Sequence, residues 1–286
     1  QSSRLQFHRD THPLKHIADT LIEERAQKLQ QHPYVWKYVQ KYLYPVLGYQ
    51  QTIKLIDDVQ GLSGYAVFEH LSNLLSMQVT VQGIEHLPKK GRAVLMPNHP
   101  AGIADGIAVF DAVKSIRPDL TFFANRDAVR CQENLTEIII PVEWMEEKRN
   151  HAKRKETVRT MIQAFKDERL IVIFPSGRLA RPTPLGLIER PWLVSGVSLA
   201  QKYKCPIIPM HIKGYNSPLY YFFWFLNNEL KDMTLFRELL NKTGQRYQMQ
   251  IGQPIHSNAN AATLTPALRR FVTTALKRGH SQFHES

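Results

Sequence analysis

The sequence predicts an α/β fold, with a mixed, mostly parallel central sheet flanked by helices and a helical N-terminal extension. Two patterns carry this reading: from Met77 onward short apolar runs alternate with helical patterns, whereas the region before it shows only helical periodicity. A third is the run Leu170-Ile-Val-Ile-Phe174, which lacks polar residues and reads as a strand buried on both faces.

In chain order, apolar residues from Leu14 to about Leu75 recur at helical spacing, as in Leu14, Ile17 and Leu21 and then Val35, Tyr38, Val39 and Tyr42. Several helices are expected there, punctuated by Pro33, Gly48 and the Gly61 to Gly64 turn, with no internal repeat. Strands are then expected at Met77 to Val81, Ala93 to Met96, Leu120 to Ala124, Ile138 to Val142, Leu170 to Phe174, Ile207 to Ile212 and Tyr247 to Ile251. Between them, Val158, Met161, Ile162 and Phe165 line one face of a helix near Thr157 to Lys166. The expected division is a helical N-terminal region over residues 1–75 and an α/β domain over residues 76–286.

Composition narrows the function classes. With 43% hydrophobic and 10% aromatic residues in 286, the chain can bury a core, which excludes disorder as its overall state. Cys131 and Cys205 are too few and too far apart for a disulfide framework or a recognisable metal motif, which fits a reducing cytoplasm. Neither has a sequence-local basic partner that singles it out, so both read as structural rather than nucleophilic. A net charge of +12 implies attraction to polyanions, either nucleic acid or the anionic inner face of a membrane. No stretch approaches the roughly 20 apolar residues that span a bilayer, and Gln1 to Asp10 lack a signal-peptide core. The chain begins with Gln1 rather than Met, so an upstream segment is left open.

The candidate chemistry lies where the expected strand Ala93 to Met96 runs into Pro97-Asn-His-Pro-Ala-Gly-Ile-Ala-Asp105-Gly106, followed by a helical pattern through Ile107, Phe110 and Val113. Loops at the carboxyl ends of strands in open α/β sheets face a crevice, and a following helix N-terminus offers free N–H groups. A neutral imidazole at His99 is able to deprotonate a hydroxyl, provided a carboxylate fixes its tautomer and supports the imidazolium. Asp105 is the candidate, and Gly102 supplies a backbone path for folding it back. The plainer alternative is that Asp105 merely caps the helix beginning beside it. His86, His151 and His211 have no comparable partner pattern and read as structural or solvated.

The run Asn98-His99-Pro100 to Asp105-Gly106 resembles the first signature block of the phospholipid/glycerol acyltransferases, in their bacterial hemolysin-like and ornithine-lipid acyltransferase branch. Most of that superfamily has four residues between the histidine and the aspartate. This chain has five, an HX5D spacing that resembles the branch. Further blocks follow in the same order: Phe122-Phe-Ala-Asn-Arg126, Phe174-Pro-Ser-Gly-Arg178 and Pro206-Ile-Ile-Pro209. The similarity extends to Gly214-Tyr-Asn-Ser217 and Arg237-Glu-Leu-Leu-Asn-Lys242, then to Ile251-Gly-Gln-Pro254. The resemblance implies a glycerol-phosphate-acyltransferase-like fold for the larger domain, with His99 and Asp105 catalytic. It implies no bound cofactor and no metal, with acyl-CoA or acyl carrier protein as co-substrate and a lysophosphatidate-like or lyso-ornithine-like lipid as acceptor.

Arg126, Ser176, Gly177 and Arg178 are then the expected acceptor-binding residues, and an arginine fork suits a phosphate or carboxylate. The family commonly has glutamate where this chain has Ser176, which retains hydrogen bonding but loses the charge. A catalytically silent lipid-binding protein is the alternative that this loss suggests. Pro206 to Pro209 read as strand and apolar wall. The segment Pro218-Leu-Tyr-Tyr-Phe-Phe-Trp-Phe-Leu226 suits either a bilayer interface, an acyl channel or a core helix. Basic groups at Lys148 to Lys155 and Arg269 to Arg278 suit either an anionic membrane or water. With no recognised nucleic-acid docking element, nucleic acid ranks below lipid, and a peripheral position on the cytoplasmic membrane is expected.

Overall fold

The computed structural model describes residues 15–142 and 150–285. The sequence readings at Gln1 to Asp10, Leu14 and Lys148 lie outside these residues. The helices are α1 (Ile17–Arg25), α2 (Gln27–Gln30), α3 (Pro33–Tyr38), α4 (Tyr44–Val46), α5 (Tyr49–Asp58), α6 (Gly64–Leu75), α7 (Ile103–Val113), α8 (Asp127–Cys131), α9 (His151–Lys166), α10 (Ser195–Lys202), α11 (Pro218–Leu226), α12 (Asn228–Met233), α13 (Leu235–Leu240) and α14 (Ala261–Thr273). The strands are β1 (Gln78–Gln82), β2 (Ala93–Pro97), β3 (Thr121–Asn125), β4 (Ile139–Val142), β5 (Leu170–Val172), β6 (Arg181–Thr183), β7 (Gly186–Ile188), β8 (Ile207–Lys213) and β9 (Arg246–Ile251).

Seven strands form one sheet in the order β1-β9-β8-β2-β5-β3-β4. All neighbours run parallel except β8 and β9. The expected mixed, mostly parallel sheet is therefore present, and each of the seven anticipated runs contributes a strand. The central strands are apolar on both sides because helices cover both faces of the sheet. Along β2, Ala93 and Leu95 enter one core with Ile107 and Phe110 of α7, while Val94 and Met96 enter the other with Val197 of α10 and Val272 of α14. β1, at the sheet edge, instead alternates between exposed and half-buried positions.

Two features were not legible in the apolar pattern. β6 and β7 pair as an antiparallel hairpin apart from the main sheet, with Leu185 fully exposed at its tip. The helix read over Thr157 to Lys166 begins earlier, at His151, and buries only Ala164 and Phe165, leaving Val158 48% exposed. It packs against the edge strand β4, where less sheet is available to cover a long apolar face.

The N-terminal helices form a third, smaller core in which Ile22, Ala26, Tyr44 and Leu47 meet Met233 of α12. Helical spacing there does not mean burial throughout. Tyr34, Val35, Tyr38, Tyr42 and Val46 are all exposed, as are Phe222, Phe225 and Leu226 of α11. The opposite side of α11 buries Tyr220 and Phe223, so this helix has both a core face and an aromatic outer face. Among the described residues no helix is long and apolar enough to cross a membrane.

Candidate active site

The site grows from the carboxyl end of β2. Asn98 is buried and behaves as a further strand residue: its Nδ2 donates to the Ile212 carbonyl at 2.9 Å, and its Oδ1 accepts from the Ile212 N–H at 2.6 Å. This ties the end of β8 to the loop carrying His99.

His99 Nδ1 lies 2.8 Å from Asp105 Oδ2, and that oxygen also accepts from the N–H groups of Ala101 at 2.8 Å and Gly102 at 2.9 Å. The two sequence readings of Asp105 are thus compatible, because from the third position of α7 it caps the helix start and meets the imidazole. Gly102 has φ +116°, a conformation side chains rarely adopt, which lets the loop fold back within five residues. Charge-assisted bonds of this kind are worth roughly 1.5–3 kcal/mol each, so the fully buried Asp105 is held rigidly. The His99 side chain is 19% exposed and its ring centre lies 4.3 Å from that of Phe174. Nδ1 is occupied by the carboxylate, and Nε2 is left for chemistry.

The other carboxylate oxygen, Asp105 Oδ1, has no hydrogen-bond partner among the described residues, and neither does the buried Tyr247 hydroxyl. Burial, and then the charge of Asp105, push the Tyr247 phenol well above its ordinary range, keeping it neutral. Gly214 allows this ring to approach, since a Cβ there would meet Tyr247 Cε1 at 2.7 Å. Beyond it, Lys242 Nζ donates to Asn216 Oδ1 at 3.0 Å and to the Glu238 carbonyl at 2.6 Å, while Arg237 donates to Ser217 Oγ at 2.7 Å. The two short blocks around Asn216 and Lys242 are therefore halves of one buried polar cluster. Burial pulls the Lys242 ammonium down, and the Glu238 carboxylate opposes that shift.

The turn after β5 brings Ser176, Gly177 and Arg178 to the same loop, where the Ala180 N–H donates to the His99 carbonyl at 2.9 Å. Ser176 is buried and its hydroxyl donates to the Arg178 carbonyl at 2.7 Å, shaping the turn. Gly177 has φ +60°, and both Gly177 and Arg178 are exposed. Arg126 is placed differently. It follows β3, which is separated from β2 by β5, and its guanidinium pairs with Glu156 of α9 at 2.8 Å. The fold brings His99, Asp105 and the 176–178 turn together, and leaves Arg126 engaged by α9.

Glu189 was missed in the sequence reading. It is buried, and its Oε2 accepts from the His99 N–H at 3.1 Å. Nothing in its local sequence marks it, because its partner lies 90 residues away. Both cysteine thiols are pushed up by burial, Cys131 to about 12 and Cys205 to about 11, which disfavours the reactive thiolate. His211 is buried and shifted down to about 4, first by burial and then by Lys277, so it is neutral at physiological pH. Among the described residues no group of three or more metal-binding side chains occurs.

The family described as Acyltransferase matches residues 78–213, a span that includes β2, the His99 loop, the 176–178 turn and β8. Two curated proteins align over 259 residues, both named lyso-glycine lipid O-acyltransferase. The one from Phocaeicola vulgatus is 22% identical, covering 87% of this chain and 89% of its own. The other, from Bacteroides thetaiotaomicron, is 23% identical, covering 87% and 91%. Among solved structures, the 1-acyl-sn-glycerophosphate acyltransferase PlsC from Thermotoga maritima is similar with a TM-score of 0.45 at 16% identity, covering 74% of this chain and 78% of that one. The family match across the His99 loop and the two relatives aligned over nearly their whole length support a place among the phospholipid/glycerol acyltransferases and an acyltransferase activity.

Proposed function

We propose that the protein is an O-acyltransferase that moves a fatty acyl group from a thioester, acyl-CoA or acyl carrier protein, onto the hydroxyl of a lyso-lipid in membrane lipid biosynthesis. The observation that carries the mechanism is the 2.8 Å contact between His99 Nδ1 and the buried Asp105 carboxylate. His99 Nε2 takes the proton from the acceptor hydroxyl as its oxygen attacks the thioester carbonyl. Asp105 holds the imidazole with its proton on Nδ1 and supports the imidazolium. The tetrahedral intermediate collapses by expelling the thiolate, which takes the proton back from Nε2. The products are an ester and a free thiol. A screen of acyl-CoA and acyl carrier protein donors against lyso-glycine, lyso-ornithine and lysophosphatidate acceptors, with mass detection, tests this. An inactive parent that still binds lipid would favour the silent lipid-binding reading.

The relatives' names support a lyso-lipid acceptor, and the exposed Arg178 beside the site suits the anionic part of its head group. Gly177 lets the acceptor approach the backbone and Ser176 shapes that turn, whereas Arg126, held by Glu156 of α9, is left out of this acceptor site. Arg178→Ala is expected to raise KM for an anionic acceptor several-fold while leaving KM for the thioester nearly unchanged. Initial-rate kinetics with each substrate varied in turn checks this, and equal effects on both would remove Arg178 from the acceptor site.

Access to such lipids is proposed to occur from the anionic inner face of the cytoplasmic membrane. Support comes from the +12 charge and from the exposed aromatic faces on residues 34–46 and on α11. Binding to anionic vesicles is expected to exceed binding to neutral ones and to weaken as salt rises. Co-sedimentation measures this, and equal failure to bind both vesicle types by folded protein would refute it.

A further inference from the structure

We propose that Glu189 is a positioning residue of the acyl-transfer site, setting the main chain of His99 through its carboxylate. This rests on His99 being the base. The β6–β7 hairpin leaves the chain just after Ala180 and returns to it at Glu189, and both flanking residues grip the same peptide segment. Ala180 donates its N–H to the His99 carbonyl at 2.9 Å, and the His99 N–H donates to Glu189 Oε2 at 3.1 Å. Asp105 fixes the ring while these two contacts fix the backbone from which the ring projects.

The chemistry of the partners explains why a carboxylate stands here. Glu189 Oε1 accepts from the buried Trp192 indole N–H at 2.9 Å, while Oε2 accepts from His99. Both partners are donors only, so each oxygen must be an acceptor. Glutamine would turn its NH₂ toward one of them, leaving a buried donor facing a donor.

Among the described residues no lysine or arginine pairs with this carboxylate, which is 6% exposed. Burial raises its pKa, and the His99 N–H and the Trp192 indole oppose the rise. Retaining a buried carboxylate without a cationic partner is costly, so the position is not an ordinary surface ion pair. The segment itself is held separately. Arg269 of α14 donates to the Glu189 and Arg190 carbonyls, leaving the carboxylate to join the Trp192 side to His99. With serine at 176, Glu189 is the acidic side chain brought to the main-chain side of His99 by the segment that follows that turn.

The test compares Glu189→Gln and Trp192→Phe with the parent, after circular dichroism and thermal melting confirm folding. Glu189→Gln is expected to lower kcat about 10- to 100-fold, the order that misplacement of a reacting group costs. KM for donor and acceptor should change little. In ¹⁵N-histidine NMR spectra the His99 ring signals, identified by their loss in His99→Ala, should shift or broaden in Glu189→Gln. Trp192→Phe keeps the His99 contact, so its ring signals should stay near the parental position and its kcat should fall less. A folded Glu189→Gln protein with parental kcat overturns the proposal, and so does a Trp192→Phe protein that reproduces the whole loss. If the parent transfers no acyl group at all, the proposed activity fails separately, and the His99 signals alone decide whether Glu189 sets the histidine.

Discussion

His99→Ala is expected to lower the rate of acyl transfer by about 10²- to 10⁴-fold, the usual contribution of a positioned general base. The imidazole is the group proposed to take the hydroxyl proton. Its other nitrogen, Nδ1, is already held by Asp105 at 2.8 Å, so Nε2 is the free basic atom in the loop. The effect should fall on kcat, because removing the ring leaves the 176–178 turn and its exposed Arg178 in place. Some stability should be lost with the ring's contacts to Asp105 and Phe174, about 1.5–3 kcal/mol for the charge-assisted bond, while the backbone contacts to Ala180 and Glu189 survive the substitution and keep the loop in place. Single-turnover product formation and thermal melting on one preparation measure both quantities. A folded His99→Ala protein that acylates lyso-lipid at the parental rate would remove His99 from the mechanism.

Asp105→Asn is expected to approach the same loss, about 10²- to 10⁴-fold, for a different reason. The amide is nearly the same shape, and its oxygen can take the place of Oδ2, keeping the donors Ala101, Gly102 and His99. What disappears is the negative charge. An imidazolium forming beside a neutral amide lacks that support, and the flipped amide would present an NH₂ to Nδ1 and select the wrong tautomer. Because Asp105 also caps α7, a small drop in stability is expected, on the order of 0.3–1 kcal/mol for the lost interaction with the helix dipole. The decisive comparison is rate against stability: a kcat loss far larger than the shift in melting accounts for would support the electrostatic role. Unaltered turnover in the folded variant would leave Asp105 as a helix cap only.

The strand runs show how far apolar patterning reaches. Leu170-Ile-Val has no polar residue, and it lies fully buried between β2 and β3 as that composition requires. The β6–β7 hairpin escaped because Arg181-Pro-Thr and Gly186-Leu-Ile are short and bury nothing deeply, so no period-2 signal develops. The stripe from Tyr34 to Val46 shows the converse limit. Its spacing is helical, yet its side chains face outward, because periodicity reports which residues share a face and not what covers that face.

Local patterning therefore determined the order of strands and helices, the family resemblance and the candidacy of His99 and Asp105, whose partnership spans only one loop and the first turn of a helix. The strand order, the pairing of Arg126 with Glu156, the union of the Asn216 and Lys242 blocks, and the Glu189 contact awaited the tertiary structure. These depend on which segments the sheet and its helices bring side by side. Hydrophobic burial drives that assembly without direction, so it leaves no local mark on residues that meet across 26, 30 or 90 positions of chain.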